Sequence, residues 1–442
     1  MQALSALRRV PTIAALTGRP LVAGRHVGAW LVLGLAIAVG LRTYNDLWMI
    51  GPTTWEVGYT YVSNYMGVNF HVYHVAAEQA IAGEPFYGVP PEPASDGYIY
   101  LYPPITVAAF YPFTIFEWTT GYTVFIGLNV LAALGGTWLT ISYAESQGAR
   151  LGWLDAALLV GLFVLSTHVV ATVLYGNINI LLGVISAAGF WALARNRQVL
   201  AGAAFAIAGV FKIFPALVGL WLLRDRRWVA AATTAAVGAG AILAGLVAFG
   251  IDPTVEYFTE VMTDRTDSSL FVGGYPADGL YYVTVQRPLS HWLWLAWPGA
   301  PYILLPIASV LVCAGVLAYF YRRTETQTER LAAVFATVVV ALVVMPSFRL
   351  YLTILFAPLA ALLYAWHGRS LERYAFVAGG LVLSITARPG EVIEFAETHL
   401  GAIAPVVVQA GGFATLQLYA LALMLGSLAL AVHGERTDST PS

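Results

Sequence analysis

The sequence carries little charge. Of its 442 residues, 10% are Asp, Glu, Lys or Arg, whereas 59% are hydrophobic and the mean hydropathy is +0.73. In soluble domains, roughly a quarter of the residues are charged. This composition excludes an ordinary soluble protein and indicates an integral membrane protein. The formal net charge of -2 identifies no partner, and no nucleic-acid function is supported, because the charges lie in short clusters between apolar runs.

Cysteine and lysine are almost absent. The single cysteine, Cys313, lies in an apolar run, so it can form neither an intrachain disulfide nor a multi-cysteine metal site. One lysine, Lys212, stands beside 21 arginines. A lone lysine inside the apolar stretch Gly209–Val218 is therefore the first position for which a function should be sought.

Long apolar segments are abundant, and many approach the ~20 residues that cross the hydrocarbon core of a bilayer. We predict an all-α polytopic membrane protein with about twelve transmembrane helices. The predicted spans are 27–50, 104–117, 120–143, 151–174, 177–194, 200–223, 229–250, 302–321, 331–346, 350–366, 374–387 and 410–432. The short ones, 104–117, 331–346 and 374–387, can be re-entrant or extend into polar flanks.

Arginine distribution predicts the orientation. If the spans alternate, most arginines lie on one side of the membrane. An excess of Lys and Arg in short loops is typical of the cytoplasmic side. We therefore expect both termini in the cytoplasm, a plasma-membrane location, and extracytoplasmic loops at 51–103 and 251–301. Simple alternation puts Arg150, Arg195 and Arg197 outside, whereas a re-entrant 200–223 would bring the last two inside. We favour simple alternation.

The predicted organisation has four parts. They are a cytoplasmic tail at 1–26, a main transmembrane domain at 27–366, additional C-terminal helices at 367–432 and a cytoplasmic tail at 433–442. The long first loop is rich in aromatics, and apolar spacing predicts an interfacial helix from Asn69 to Ala82 that ends at Gly83.

Lys212 is the strongest candidate for a functional residue. On a single-pass helix it would lie roughly 18 Å in, near the midplane, where burying an ammonium costs on the order of 3 kcal/mol. Pro215 lacks an N–H and opens the helix nearby. The pair predicts a notch that faces an anion. The alternatives are a structural lysine paired with a carboxylate and, if the span is re-entrant, a lysine that snorkels to the interface.

Other polar residues allow two interpretations each. Arg349, at a break between two spans, has a guanidinium that suits a phosphate, or it anchors the chain at the interface. Asn177 and Asn179 can bind a polar ligand or cap a helix. Asp46 lies four residues after Arg42, a spacing that favours an ion pair on the helix surface over catalysis.

Taken in order, several short motifs resemble glycosyltransferase family 87. They are Asn69 to Tyr87, Tyr100 to Pro112, Gly176 to Asn179 and Ala201 to Pro215, within a resemblance that covers roughly residues 30–360. The family includes mycobacterial polyprenol-phosphate-mannose-dependent mannosyltransferases. The resemblance implies the type C glycosyltransferase fold, a lipid-phosphate sugar donor and an active site in the first extracytoplasmic loop, with no nucleotide sugar. We expect no cofactor and no metal ion.

The sequence departs from the family at two positions. The family usually has an aspartate, thought to be the base, where this chain has Asn69; its Pro-x-Ser-Trp segment with a nearby histidine is Pro346 to Tyr351 here. Either another carboxylate serves, or the protein is a divergent or inactive member. The available carboxylates are Asp46, Glu78 and Asp96. The residues expected to bind substrate are Asn69, His71, Tyr73, Tyr102, Asn177, Asn179 and Tyr351.

The predicted reaction moves a hexose, with mannose as the preferred candidate, from polyprenyl phosphate to a lipid or glycan acceptor on the extracytoplasmic face. A carboxylate would deprotonate the acceptor hydroxyl, while Lys212 and Arg349 would stabilise the leaving phosphate. Two other classes remain open. A secondary transporter fits twelve spans and a midplane lysine, and a lipid-linked glycan polymerase or ligase would use the same donor chemistry.

Overall fold

The computed structural model describes residues 19–48, 66–92, 97–269, 282–385, 387 and 389–438. In this part the chain is almost entirely helical, which confirms the predicted all-α class. Six of the described helical segments are long and apolar enough to cross a membrane: Val27–Asn45, Trp118–Ser146, Trp153–Tyr175, Trp228–Phe249, Leu304–Tyr321 and Leu416–Gly434. The protein is therefore polytopic.

The elements follow one another with short connections. The first half contains α1 Val27–Trp48, α2 Val68–Ala82, a 3-10 helix Pro104–Phe113, α3 Trp118–Ser146, α4 Trp153–Val164, α5 Thr167–Tyr175, α6 Asn179–Ala194, α7 Gln198–Phe211, a 3-10 helix Phe214–Leu217, α8 Val218–Arg224 and α9 Trp228–Phe249. The second half contains α10 Ile251–Glu256, a π-helical turn Tyr257–Val261, α11 Met262–Thr266, β1 Tyr282–Val283, α12 Gln286–Ala296, α13 Leu304–Tyr321, α14 Gln327–Val343, β2 Ser347–Phe348, a 3-10 helix Arg349–Leu355, α15 Phe356–Ala365, α16 Leu371–Leu383, α17 Pro389–His399, a 3-10 helix Gly401–Ile403, α18 Ala404–Phe413 and α19 Leu416–Asp438.

Helix α2 has the predicted position in the first loop. It lies between Gly67 and Gly83, whose φ angles of 73° and 75° are in the left-handed region that glycine adopts without a Cβ penalty. The Gly83 N–H bonds to the carbonyl of Ala80, and so closes the last turn. Phe70 and Tyr73, three residues apart on one face of the helix, are both buried. This face of α2 therefore packs against the membrane bundle.

One end of the bundle, which we call the arginine face, is defined by polar contacts among segment ends. Arg19, just before α1, forms an ion pair of 2.5 Å with Glu145 at the end of α3. Arg195, after α6, donates to Ser142 of α3 at 2.6 Å. His26 Nε2 donates to the carbonyl of Arg150 at 2.9 Å. All three arginines therefore lie on one side.

The opposite end, which we call the loop face, carries the two long loops. The Phe86 ring lies 5.7 Å from the ring of Phe249 at the end of α9, and the Tyr87 ring lies 6.5 Å from that of Tyr257. β1 pairs with β2, so that Tyr282 faces Phe348. The described parts of loops 51–103 and 251–301 thus pack together on the same side of the bundle.

The predicted span at 104–117 does not cross the bundle. Its residues form a ten-residue 3-10 helix, Pro104–Phe113, which begins at the Pro103-Pro104 pair. The next helix, α3, has 29 residues and runs from this loop face to Glu145 on the arginine face. Pro104–Phe113 therefore stays on the loop face and forms part of the wall above the bundle.

The predicted span at 200–223 is a re-entrant hairpin, so simple alternation is wrong here. Helix α7 enters from the arginine face, the chain breaks at Lys212, and α8 returns to the same face. The two ends are tied by Arg227, whose Nη1 donates to Asn196 Oδ1 at 2.9 Å, while Arg224 donates to the carbonyl of Tyr321 at 2.6 Å. Arg197 therefore lies on the arginine face.

Candidate functional site

The hairpin places Lys212 at its tip. Helix α7 has 14 residues, or about 21 Å at 1.5 Å per residue, so Lys212 lies deep in the bundle near the loop face. The Lys212 backbone is extended, with φ -144° and ψ 123°, and Pro215 starts the 3-10 turn that follows. Because proline has no N–H, the turn does not continue the α-helical ladder. The chain reversal thus presents one side chain, and that side chain is a lysine.

Aromatic rings surround the Lys212 ammonium. The Nζ atom lies 3.7 Å from the ring centre of Tyr351 and 5.8 Å from that of Tyr102. Tyr351 stacks on Phe214, the second residue after Lys212, at 5.0 Å and 21°. Lys212 is 5% exposed, and within the described part of the chain no carboxylate lies within 4.0 Å of its nitrogen. The charge is held by π faces, which attract a cation without neutralising it.

A tyrosine wall joins this lysine to the first loop. The hydroxyl of Tyr73 on α2 lies 3.0 Å from that of Tyr102, and Tyr87 donates to the carbonyl of Tyr102 at 2.6 Å. Burial, and then the neighbouring Tyr102, raise the pKa of Tyr73 well above its usual value. The Tyr73 hydroxyl therefore stays protonated and forms a neutral hydrogen bond with Tyr102.

Helix α2 separates the predicted site residues between two faces. Asn69 is four residues before Tyr73, so it lies on the face that points to Tyr102, and it is half-buried. His71 instead stacks on Trp118 at 4.3 Å and 9°. Burial, then His74, lower the His71 pKa. The structure thus brings Asn69 and Tyr73 towards Lys212 and turns His71 away.

The carboxylates proposed from the sequence are not gathered at the lysine. Glu78 is exposed and its carboxylate lies 3.5 Å from His74 Nδ1, on the side of α2 away from Tyr73. Asp46 belongs to α1, but its side chain lies outside the described part of the structure, as does Asp96 altogether. The proposed roles of Asp46 and Asp96 therefore remain sequence-based predictions.

The remaining predicted residues lie around the 3-10 helix Arg349–Leu355. Arg349 is half-buried and electrostatically coupled to His168 on α5. The Thr353 hydroxyl donates to the carbonyl of Asn179 at 2.8 Å. Asn179 is fully buried, and its side-chain amide atoms, like Asn177 Oδ1, have no hydrogen-bond partner among the residues that the structure describes. Buried orphan amide atoms are costly unless a ligand or water satisfies them.

Sequence reasoning missed two contributors. Phe214, which supports the Tyr351 ring, and Tyr87, which holds the Tyr102 backbone, both lie inside the quoted motifs. Neither residue differs in type from the many other aromatics of the chain. Only the fold distinguishes the rings that face the lysine from those that face lipid.

Together, the fold and the site define a polytopic helical membrane protein in which a lysine side chain is buried among aromatic rings beneath the first loop. The chain belongs to glycosyltransferase family 87, whose model matches residues 100–346. This match confirms the family resemblance seen in the motifs, although the α2 motif at 69–87 lies before the matched region.

Two known proteins are similar to this chain. One is the polyprenol-phosphate-mannose-dependent alpha-(1-2)-phosphatidylinositol pentamannoside mannosyltransferase of Mycolicibacterium smegmatis, 30% identical over 166 residues. The match covers 37% of this chain and 38% of that protein, so this chain spans about two-fifths of the relative's length. The other is the crystal structure of ArnT from Cupriavidus metallidurans bound to undecaprenyl phosphate, with 12% identity, 88% and 80% coverage of the two chains and a TM-score of 0.38. That structural likeness is too weak to carry an argument.

Proposed function

We propose that this protein is a membrane hexosyltransferase that moves a sugar, with mannose the first choice, from a polyprenyl-phosphate donor to a hydroxyl of a lipid or glycan acceptor. The reaction takes place on the loop face, which we assign to the extracytoplasmic side of the plasma membrane. The observation that carries the proposal is the Lys212 ammonium, buried between Tyr102 and Tyr351 with no carboxylate of the described residues within ion-pair distance. Family membership and the donor named for the mycobacterial relative support it.

The chemistry follows from that buried positive charge. The acceptor oxygen forms a bond to the anomeric carbon, the bond from that carbon to the phosphate oxygen breaks, and polyprenyl phosphate leaves with the electron pair. Negative charge on the phosphate grows in the transition state, so a fixed cation lowers the barrier more than it strengthens ground-state binding. Lys212 has this role, and Arg349 is a second cation on the same 3-10 helix as Tyr351.

The surroundings of the lysine suit a donor that resides in lipid. Ile213, the residue next to Lys212, is 62% exposed, and α9 beside the hairpin is apolar with little of its surface buried. A polyprenyl chain can therefore lie along the outside of the bundle while its phosphate reaches the buried ammonium. A water-soluble sugar nucleotide would have no use for such a lateral apolar approach.

The test is transfer by Lys212→Met in membranes supplied with radiolabelled polyprenyl-phosphate hexoses. Methionine keeps the length and apolar stem but removes the charge, so we expect at least a roughly 100-fold loss of lipid or glycan product. Arg226→Met, an exposed charge change on the arginine face, is the matched control and should transfer normally. Near-normal transfer by Lys212→Met, or none by the unmodified protein with any such donor, contradicts the proposal.

A further inference from the structure

In the proposed transfer, on which this inference rests, the Lys212 ammonium meets the donor phosphate beside the ring of Tyr351, whose centre lies 3.7 Å from the nitrogen. Phe214 stacks on that ring, and the ring of Phe348 lies 5.9 Å from it at 86°. Phe348 belongs to β2, and Tyr351 belongs to the 3-10 helix that follows directly. The position of the Tyr351 ring therefore depends on how β2 is held.

Strand β2 is held by β1 of the second long loop. Val283 is opposite Ser347 and Tyr282 is opposite Phe348, and the rings of the latter pair lie 4.6 Å apart. Ser347, the first residue of β2, comes only four residues after Val343, the last residue of α14. Because this connection is short, the end of α14 determines where β2 begins.

The carbonyl of Val344, at the C-terminal end of α14, accepts two hydrogen bonds from outside the helix. The Gln286 side chain donates from Nε2 at 3.2 Å, and the Ser309 hydroxyl donates at 2.6 Å. A carbonyl has two lone pairs, so these donors fill its capacity. Gln286 and Ser309 are both fully buried, and Val344 is buried as well. A donor lost here would therefore leave a buried acceptor partly unsatisfied.

The preceding carbonyl, that of Val343, is bound in the same way. It accepts from the backbone N–H of Val285 at 3.0 Å and from the Thr284 hydroxyl at 3.1 Å. Three of the four donors to these two carbonyls thus come from residues 284–286 of the second long loop, and the fourth comes from α13. The last carbonyls of an α-helix have no partner within the helix, so this loop segment holds the end of α14 in place.

We propose that Gln286 is a positioning residue of the donor site, with Ser309 as the second donor to the same carbonyl. The two side chains hold Val344 and so fix the point at which β2 begins. Through β2 they hold the Tyr351 ring beside the Lys212 ammonium. The second long loop thereby contributes to donor binding, and the loss of either side-chain donor should weaken it.

The experiment measures the affinity of the purified full-length protein for radiolabelled polyprenyl phosphate by direct binding. Gln286→Met removes the donor and keeps the side-chain length, so we expect the Kd to rise about fivefold, which corresponds to the net contribution of one hydrogen bond. Gln417→Met is the matched control. Gln417 is also buried, and its Nε2 donates at 3.1 Å to the carbonyl of Ile385, just beyond the end of α16. The control should bind polyprenyl phosphate like the unmodified protein.

Ser309→Ala removes the other donor with a smaller change in volume, and it tests the same carbonyl if Gln286→Met does not fold. We expect a similar rise of about fivefold in the Kd. The matched control is Ser427→Ala, which removes a buried hydroxyl that donates to the carbonyl of Met424 at 2.8 Å on α19. This control should leave the Kd unchanged.

A double substitution tests whether Gln286 acts through the ring. In a Tyr351→Leu protein, which lacks the ring, Gln286→Met should change the Kd by less than about twofold, because substitutions that act through one shared contact are not additive. An equal rise in the two backgrounds would show that Gln286 does not act through Tyr351.

Three results overturn the assignment. They are unchanged affinity in the Gln286 and Ser309 variants, equal losses in their controls, and an equal effect of Gln286→Met with and without the ring. In a protein that transfers sugar and loses transfer in Lys212→Met, any of these removes the positioning role and leaves the proposed function in place. If the binding results are as expected but the unmodified protein transfers sugar from no donor, the positioning role stands and the proposed function is removed. Failure of the unmodified protein to bind polyprenyl phosphate removes both.

Discussion

A single ammonium in an apolar bundle is stable only if its surroundings replace part of the water it has lost. For Lys212 the replacement is aromatic: the Tyr351 ring at 3.7 Å is supported from behind by Phe214. A carboxylate would hold the charge more tightly but would also cancel it. In the proposed function, this aromatic environment keeps the cation available for the donor phosphate.

The ring of Tyr351, rather than its hydroxyl, should maintain the geometry of the donor site. Tyr351→Leu removes the π face, which is worth about 2 kcal/mol at a desolvated site, so the KM for the polyprenyl-phosphate donor should rise about 10-fold or more. Tyr351→Phe keeps the ring and should stay within about threefold of the unmodified protein. Steady-state transfer assays with varied donor measure both. Equal KM increases in the two variants would show that the hydroxyl matters instead.

Lys212 could be found from the sequence because it is unique and energetically costly. Its partners could not, because twenty-four tyrosines offer many equivalent rings and only tertiary packing selects Tyr102 and Tyr351. The same limit explains why the predicted catalytic role of Glu78 does not fit the structure. Glu78 is close to Tyr73 along the chain, but its carboxylate points to His74 on the other side of the helix. Sequence proximity within a loop does not determine which face of a helix a side chain occupies.

At the scale of elements, the hairpin at 198–224 shows what apolar composition leaves open. A continuous apolar stretch of this length has the same hydropathy whether it crosses or returns. The features that decide are local: Pro215 interrupts the ladder, and Gly209 lets Ala216 pack closely, since a Cβ on Gly209 would lie 2.9 Å from that of Ala216. At the base, Arg227 and Asn196 join the two ends.

Thiol labelling can test this hairpin because the chain has one cysteine, Cys313, which is buried. In a Cys313→Ala background, cysteines are placed at Arg197 before the hairpin, Arg226 after it and Thr259 on the loop face, all exposed positions. An impermeant maleimide applied to one side of sealed vesicles should label Arg197→Cys and Arg226→Cys together and Thr259→Cys only from the other side. Labelling of the two arginine positions from opposite sides would mean that 198–224 crosses the membrane.

At the scale of the whole molecule, two departures from simple alternation remove a conflict in the charge distribution: Pro104–Phe113 does not cross the bundle, and the hairpin at 198–224 returns to the face from which it entered. Under simple alternation Arg150, Arg195 and Arg197 lay opposite the other arginines, whereas their contacts place them on the arginine face. The predicted polytopic, all-helical class and the helix in the first loop were accessible from hydropathy and spacing. The side on which each segment ends was not, because it depends on contacts between residues more than a hundred positions apart.

The orientation in the cell follows from this corrected distribution. Arg19, Arg195 and Arg227 lie on one face, and an excess of arginine in short loops is retained in the cytoplasm. The loop face, with Lys212 beneath it, should therefore meet the outside. In intact cells expressing the Cys313→Ala protein, the impermeant maleimide should label Thr259→Cys without lysis, because the predicted orientation exposes the loop face to the medium.

The matched variant Arg197→Cys should be labelled only after the membrane is opened. Because both cysteines are at exposed positions in proteins that differ at single residues, a difference in labelling reports the side of the membrane rather than reactivity. The reverse pattern would place the tyrosine wall in the cytoplasm, where an extracytoplasmic acceptor could not reach Lys212. A transferase acting on the outer leaflet requires the first pattern, since the buried ammonium is approached through the loop face and the adjoining lipid.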